Sequence, residues 1–169
     1  MATKVLDSWA LIAFFEDEPA ADTVEKLLQQ AADEKHKLLM SVVNWGEVYY
    51  STMREVSQEA AEQKAHEIAA LPIDIIGVGD DLVLAKQAAI FKATHQMSYA
   101  DCFAAALAKQ KNAELITGDP EFKAVEKEIK IAWLTDGLFL KYHVNQATSV
   151  SGGGIRSTNG AMISGKPHR

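Results

Sequence analysis

Between Tyr99 and Ala108 every residue is apolar except Asp101, and this run restricts the fold more than any other part of the chain. A surface helix needs a polar face. This segment has none, so it reads as a helix buried nearly all round. It also sets one carboxylate inside a core, where an ionised acid is costly unless a cation, a hydrogen-bond donor or a shifted pKa compensates it. Two readings are open. Ser98 followed by Asp101 fits the capping pattern that opens helices, with the acid at the N3 position favoured by the helix dipole. Alternatively Asp101 is a metal ligand, which requires other carboxylates to arrive at the same place.

The chain has 169 residues, 48% hydrophobic and 24% charged, a balance that suits one globular domain with a real core. The single cysteine, Cys102, lies inside the apolar run, so no internal disulfide forms and a reducing, cytoplasmic setting is expected. No segment approaches the ~18 apolar residues of a membrane span, and the acids flanking Trp9 to Phe15 argue against a signal peptide. All 23 acids precede Gly137, whereas Lys141, Arg156, Lys166 and Arg169 follow Leu140. The first 140 residues thus carry 13 basic against 23 acidic side chains, a net of −10. Such a body repels polyanions at long range and does not advertise non-specific nucleic-acid binding.

Strand and helix patterns alternate along the chain. Lys4 to Asp7 reads as a strand, followed by a helix from Ser8 to Phe15 with Ser8 as N-cap. Glu18-Pro19 opens a helix to about Glu34, with Val24, Leu27, Leu28 and Ala31 as its core stripe. A strand over Lys37 to Ser41 leads into a helix from Val42 to Met53 in which Glu47 is the single acid. Ser57 caps a helix to Leu71, Ile73 to Val78 is a strand, and Asp80 caps a helix over Asp81 to Thr94. After the buried helix come a strand over Ala113 to Thr117, a helix over Glu121 to Glu128 opened by Asp119-Pro120, and a strand over Ile129 to Leu134. This alternation predicts an α/β fold with a parallel sheet covered on both faces. In such sheets ligands collect beyond the carboxyl ends of the strands. From Lys141 onward the Gly/Ser-rich composition has no period, so residues 141–169 read as a disordered basic tail after a domain of residues 1–140.

Four acids interrupt apolar surroundings or stand at strand ends: Asp7, Glu47, Asp101 and Asp119. Singly, each is explained by capping or by solvent exposure. Gathered at one sheet edge, they repel, and the usual resolutions are protonation or a shared divalent cation. A hard all-oxygen set points to Mg²⁺ or Mn²⁺. The histidines show no metal-ligand spacing and there is no cysteine cluster, which argues against zinc; most histidines are expected to face solvent. Glycine-rich phosphate loops and a nucleophile elbow are also lacking.

These residues carry a resemblance. Val-Leu-Asp7-Ser8, Asn44-Trp-Gly-Glu47-Val, Ser98-Tyr-Ala-Asp101-Cys-Phe-Ala-Ala-Ala-Leu-Ala and Thr117-Gly-Asp119-Pro-Glu-Phe122 stand in the order of the PIN-domain family. Within that family the chain most resembles the VapC-type toxins of toxin–antitoxin pairs. The likeness covers about Lys4 to Leu134 and leaves the tail outside.

The resemblance implies a three-layer α/β/α sandwich around a central, mostly parallel five-stranded sheet. It implies a Mg²⁺- or Mn²⁺-dependent endoribonuclease, usually a homodimer, held inactive by a small antitoxin. Asp7, Glu47, Asp101 and Asp119 match the family's acidic quartet, Ser8 the small polar residue after the first acid, and Thr117 the hydroxyl residue two before the last. On this reading Asp7 and Asp101 are the principal ligands, with Asp119 direct or water-mediated. Glu47 orients the attacking water or completes the shell, and Ser8 and Thr117 bond the carboxylates from behind. Trp45, Tyr49, Tyr50 and Tyr99 are available to stack bases of an RNA substrate, although core packing is the expected role for such aromatics. The alternatives are a catalytically silent PIN fold that acts by binding a partner, and a receiver-type phosphotransfer domain. The latter wants an acceptor Asp ending the third strand, where this chain has Ile76-Gly-Val-Gly79.

Overall fold

The computed structural model describes residues 1–134; the segment expected to be a basic tail lies outside the described residues. The elements run β1 (Ala2–Leu6), α1 (Ser8–Phe15), α2 (Ala21–Ala32), β2 (His36–Ser41), α3 (Val42–Glu55), α4 (Gln58–Ala69) and β3 (Ile73–Ile76). They continue with α5 (Val83–Thr94), α6 (Tyr99–Gln110), β4 (Glu114–Thr117), a 3₁₀ turn (Pro120–Val125) and β5 (Lys130–Trp133). The five strands form one sheet in the order β3-β2-β1-β4-β5, and every neighbouring pair is parallel.

Side chains alternate between the two faces of a strand, and here the alternation sorts the core into two layers. Val5, Leu39 and Leu115 point into one layer with Leu84, Phe91, Phe103, Leu107 and Phe122. Leu6, Leu38, Met40 and Ile116 point into the other with Leu11, Val24, Leu28, Val48 and Ile68. Helices α5 and α6 therefore cover one face, and α1, α2, α3 and α4 cover the other. The central strands β1, β2 and β4 are thus covered on both faces, as parallel sheets require, while the edge strand β3 stays partly exposed.

Every residue of α6 from Asp101 to Ala108 is buried, as its composition predicts, whereas Tyr99 at its start is exposed. Ala104, Ala105 and Ala108 offer no bulk, so the helix axis lies close to β1, β2 and β4. Strand order reverses at β1: the chain moves outward through β2 and β3, then returns to the other side for β4 and β5. The crevice at the carboxyl ends of β1 and β4 is the topological switch point.

Three expectations about helix starts, and one about helix type, need correction. Asp7, not Ser8, caps α1, because Asp7 is the last extended residue and its Oδ1 accepts from the Ala10 N–H at 2.8 Å. Helix α2 begins at Ala21 rather than at Pro19, without a side-chain cap. Asp80 does not cap α5: Gly79 and Leu82 both take left-handed backbone (φ 79° and 57°), the helix starts at Val83, and Asp81 accepts from the Val83 N–H. The segment after Asp119 is a 3₁₀ turn ending at Val125, since Phe122 and Val125, three apart, are the pair that must be buried and 3₁₀ geometry eclipses that spacing. Most histidines are expected to face solvent; His36 is buried.

The close seat of α6 gives a direct test. Ala104→Leu overfills a site with no accessible surface and is expected to cost about 1–3 kcal/mol, read as a lower urea midpoint at unchanged slope. An unchanged midpoint contradicts the packing described.

Candidate active site

Asp7 follows β1 directly, and Thr117 ends β4 one register step beyond the Leu6–Ile116 pair. That register makes them neighbours, and the Thr117 hydroxyl donates to Asp7 Oδ2 at 2.5 Å. The same hydroxyl oxygen accepts from the Asp119 N–H at 2.9 Å, so Thr117 holds one acid directly and sets the backbone of a second. Between them Gly118 lies under the indole of Trp9. A Cβ at Gly118 would meet ring carbons at 2.3 Å, which leaves no room for any other residue while Trp9 stays in place.

Asp101 enters from the first turn of α6. The Ser98 hydroxyl accepts from the Asp101 N–H at 3.1 Å and lies 2.7 Å from Asp101 Oδ2, so the cap and the orientation of the acid come from one residue. The reciprocal half of a capping box is absent here, because the Ser98 N–H goes to Glu121 Oε2 instead. Glu47 comes from α3. Its Oε2 accepts from the Ser8 hydroxyl at 2.5 Å and its Oε1 from the Tyr50 hydroxyl at 3.3 Å.

The electrostatics are those of buried acids that repel one another. Burial raises the Asp7 carboxyl to about 8, with repulsion from Asp101 and Asp119 adding to it, against the lowering effect of the Thr117 and Ala10 hydrogen bonds. Burial likewise raises Asp101 to about 7, with Asp119, Glu47 and Glu121 contributing repulsion. Asp119 is also raised, by burial first and then by Glu121 and Glu47. The ion pairs among the described residues, Lys4–Glu114, Lys35–Asp33, His95–Glu128 and Lys109–Glu128, all lie elsewhere. The structure therefore brings all four predicted acids into one mutually repelling group, with Ser8 and Thr117 bonded to two of them.

Two participants escaped the sequence reading. Asn44 is fully buried; its Nδ2 donates to Ser8 Oγ at 3.2 Å and to the Ala100 carbonyl at 3.1 Å. It thereby joins α3 to the residue before Asp101. Its signal was a buried-type polar residue three positions before Glu47, on the same helical face. Glu121 adds a fifth negative charge and was hidden as an ordinary first-turn acid after Pro120. Of the aromatics, Trp45 and Tyr49 stack on each other and the Tyr49 hydroxyl binds Glu62, while Tyr50 and Tyr99 are about half exposed rather than packed in a core.

The donor set is all oxygen, hard and unpaired, which fits Mg²⁺ or Mn²⁺ and does not fit a soft metal. Among the described residues no three Asp, Glu, His or Cys side chains are gathered tightly enough to chelate one ion directly. An open set of this kind suits a cation that keeps much of its water.

Comparison with known proteins gives the family and the fold. The family model of the PIN domain matches residues 4–128. The chain belongs to the PIN domain family. Solved structures share the PIN fold at low identity. VapBC2 from Rickettsia felis, bound to a DNA fragment from its promoter, aligns with TM-score 0.59 and 16% identity over 77% of this chain and 97% of that one. VapBC-1 from nontypeable Haemophilus influenzae aligns with TM-score 0.58 and 20% identity over 79% and 99%. Mycobacterium tuberculosis VapC20, described as a sarcin–ricin loop cleaving toxin, aligns with TM-score 0.57 and 18% identity over 72% and 94%. No curated protein sequence matches this PIN chain significantly.

The raised carboxyls make a stability prediction for the metal-free protein. The folded state holds a proton on Asp7 up to about pH 8, whereas the unfolded chain releases it near its ordinary value of 3.8. In between, the folded state binds more protons, so stability falls as pH rises, by about 1.4 kcal/mol per pH unit for one proton. From about pH 6.5 to 8, above the range in which buried His36 titrates, the melting temperature in chelator is expected to drop. Asp7→Asn, which retains the α1 cap acceptor, should flatten that slope and melt higher at about pH 8. A flat wild-type profile contradicts the crowding.

Proposed function

We propose that this PIN protein is a Mg²⁺- or Mn²⁺-dependent endoribonuclease, the toxin of a toxin–antitoxin pair. The observation that carries the proposal is the convergence of Asp7, Glu47, Asp101 and Asp119 at the β1/β4 switch point, where burial and mutual repulsion raise three of the four carboxyls. Asp7 and Asp101 would hold the cation, with Asp119 assisting directly or through water. Once bound, such an ion neutralises charge on a phosphodiester and lowers the pKa of water beside it.

The chain's own residues do the rest. Thr117 fixes the Asp7 carboxylate with one oxygen toward β4, leaving Oδ1 shared with the α1 cap. Ser98 turns Asp101 inward from the helix start. Glu47, gripped on both oxygens by Ser8 and Tyr50, orients the attacking water for in-line displacement and takes up its proton. Without a cation the crowding is relieved by protons held on Asp7 and Asp101, so a bound cation would take the place of those protons.

The solved VapBC complexes that share the fold support an antitoxin as the partner of this chain. Val83 and Ile90, exposed seven residues apart on one side of α5, support a homodimer. A free buried Cys102 and the lack, among the described residues, of a helix long and apolar enough to cross a membrane support action in the cytoplasm.

Incubation of the purified chain with structured RNA and Mn²⁺ tests the reading. Cleavage is expected for the wild type, with at least a ~100-fold loss in Asp7→Asn and Asp101→Asn and a complete loss in chelator. Equal activity in all three proteins sinks the assignment. Absence of cleavage combined with tight capture of a partner protein favours the silent, partner-binding alternative.

A further inference from the structure

Glu47, Tyr50 and Arg54 follow one another at spacings of three and four residues, so they share one face of α3, with Arg54 about 10 Å along the axis from Glu47. Tyr50 is half exposed, yet its hydroxyl reaches Glu47 Oε1. The Arg54 guanidinium stands 5.5 Å from the centre of the Tyr50 ring. Arg54 is itself exposed and takes part in none of the ion pairs among the described residues. It is also the only arginine in the first 155 residues of a strongly acidic chain. A guanidinium stacked on an exposed ring, next to an acid of the candidate site, is suited to a nucleotide: the ring offers a face to a base, the guanidinium a fork to a phosphate.

We propose that Tyr50 and Arg54 form a nucleotide subsite beside the acids, in which the ring stacks a base of single-stranded RNA and the guanidinium pairs with a backbone phosphate. The proposal rests on the ribonuclease reading above and names how that site grips its substrate. Because the net charge repels RNA at a distance, affinity has to come from such local contacts. Because the Tyr50 hydroxyl also holds Glu47, a base arriving on the ring reports directly to the group that orients water.

Fluorescence anisotropy with a short labelled single-stranded RNA, and with the same strand carrying abasic residues, separates these contributions in the full chain with Ca²⁺ present. Tyr50→Leu is expected to weaken binding of the base-bearing strand about tenfold while leaving the abasic strand unchanged. Arg54→Met should weaken both strands alike and reduce the slope of log Kd against log salt by about 0.7. Tyr50→Phe should keep the affinity but lower kcat several-fold in Mn²⁺, since only the bond to Glu47 is lost. Wild-type affinity for the base-bearing strand in both Tyr50→Leu and Arg54→Met, or no RNA binding by the wild type, overturns the subsite. Binding is read apart from cleavage, so RNA held through Tyr50 but never cut overturns the nuclease reading while the subsite stands.

Discussion

Repulsion between the carboxylates of Asp7, Asp101, Asp119 and Glu47 is the constraint on which the rest of the structure depends. Like charges out of water destabilise a fold, and here burial and mutual repulsion together lift Asp7 to about 8 and Asp101 to about 7. A chain that needed only helix caps at these places would be better served by Ser, Thr or Asn, which cap without charge. The acids do cap: Asp7 opens α1 and Asp119 opens the 3₁₀ turn. Capping accounts for where Asp7 and Asp119 stand along the chain, but not for the meeting of charges at the end of β1.

The surrounding packing holds the acids against that repulsion. Small residues seat α6 on the sheet, bringing Asp101 to the strand ends, while Gly118 under Trp9 lets the chain leave β4 toward Asp119 without lifting α1. Buried polar links then tie the three approaches together. Thr117 joins β4 to Asp7, Ser8 joins α1 to Glu47, and Asn44 joins α3 to both Ser8 and the turn before Asp101. Every link uses an uncharged donor, so the acids are oriented but not neutralised. The remaining charge is available to a hard cation, which matches the donor chemistry of the site.

Much of this was legible in the sequence because it rests on local rules. The apolar run around Asp101 can only be an interior helix, and the strand–helix alternation leads to a parallel sheet with a site at its carboxyl edge. The PIN motifs add the grouping of the four acids. What the sequence left hidden depends on contacts between distant segments. Asn44 looked like one polar residue in a helix, and its role exists only because Ala100 arrives 56 positions later. The start of α5 was misjudged because a left-handed leucine at position 82 is a backbone choice that no side-chain pattern announces. Tyr50 and Tyr99 looked like core aromatics, since apolar neighbours in sequence say little about which way a ring points once the helix has docked.

The most direct test of the central claim, that this crowding exists to receive a divalent cation, is calorimetric titration of the metal-free protein with Mn²⁺ in buffers of different ionisation enthalpy near pH 7. The account predicts saturable binding with release of about one to two protons, from Asp7 and Asp101, and affinity that strengthens as pH rises toward 8. No binding, or binding that releases no protons and ignores pH, contradicts it.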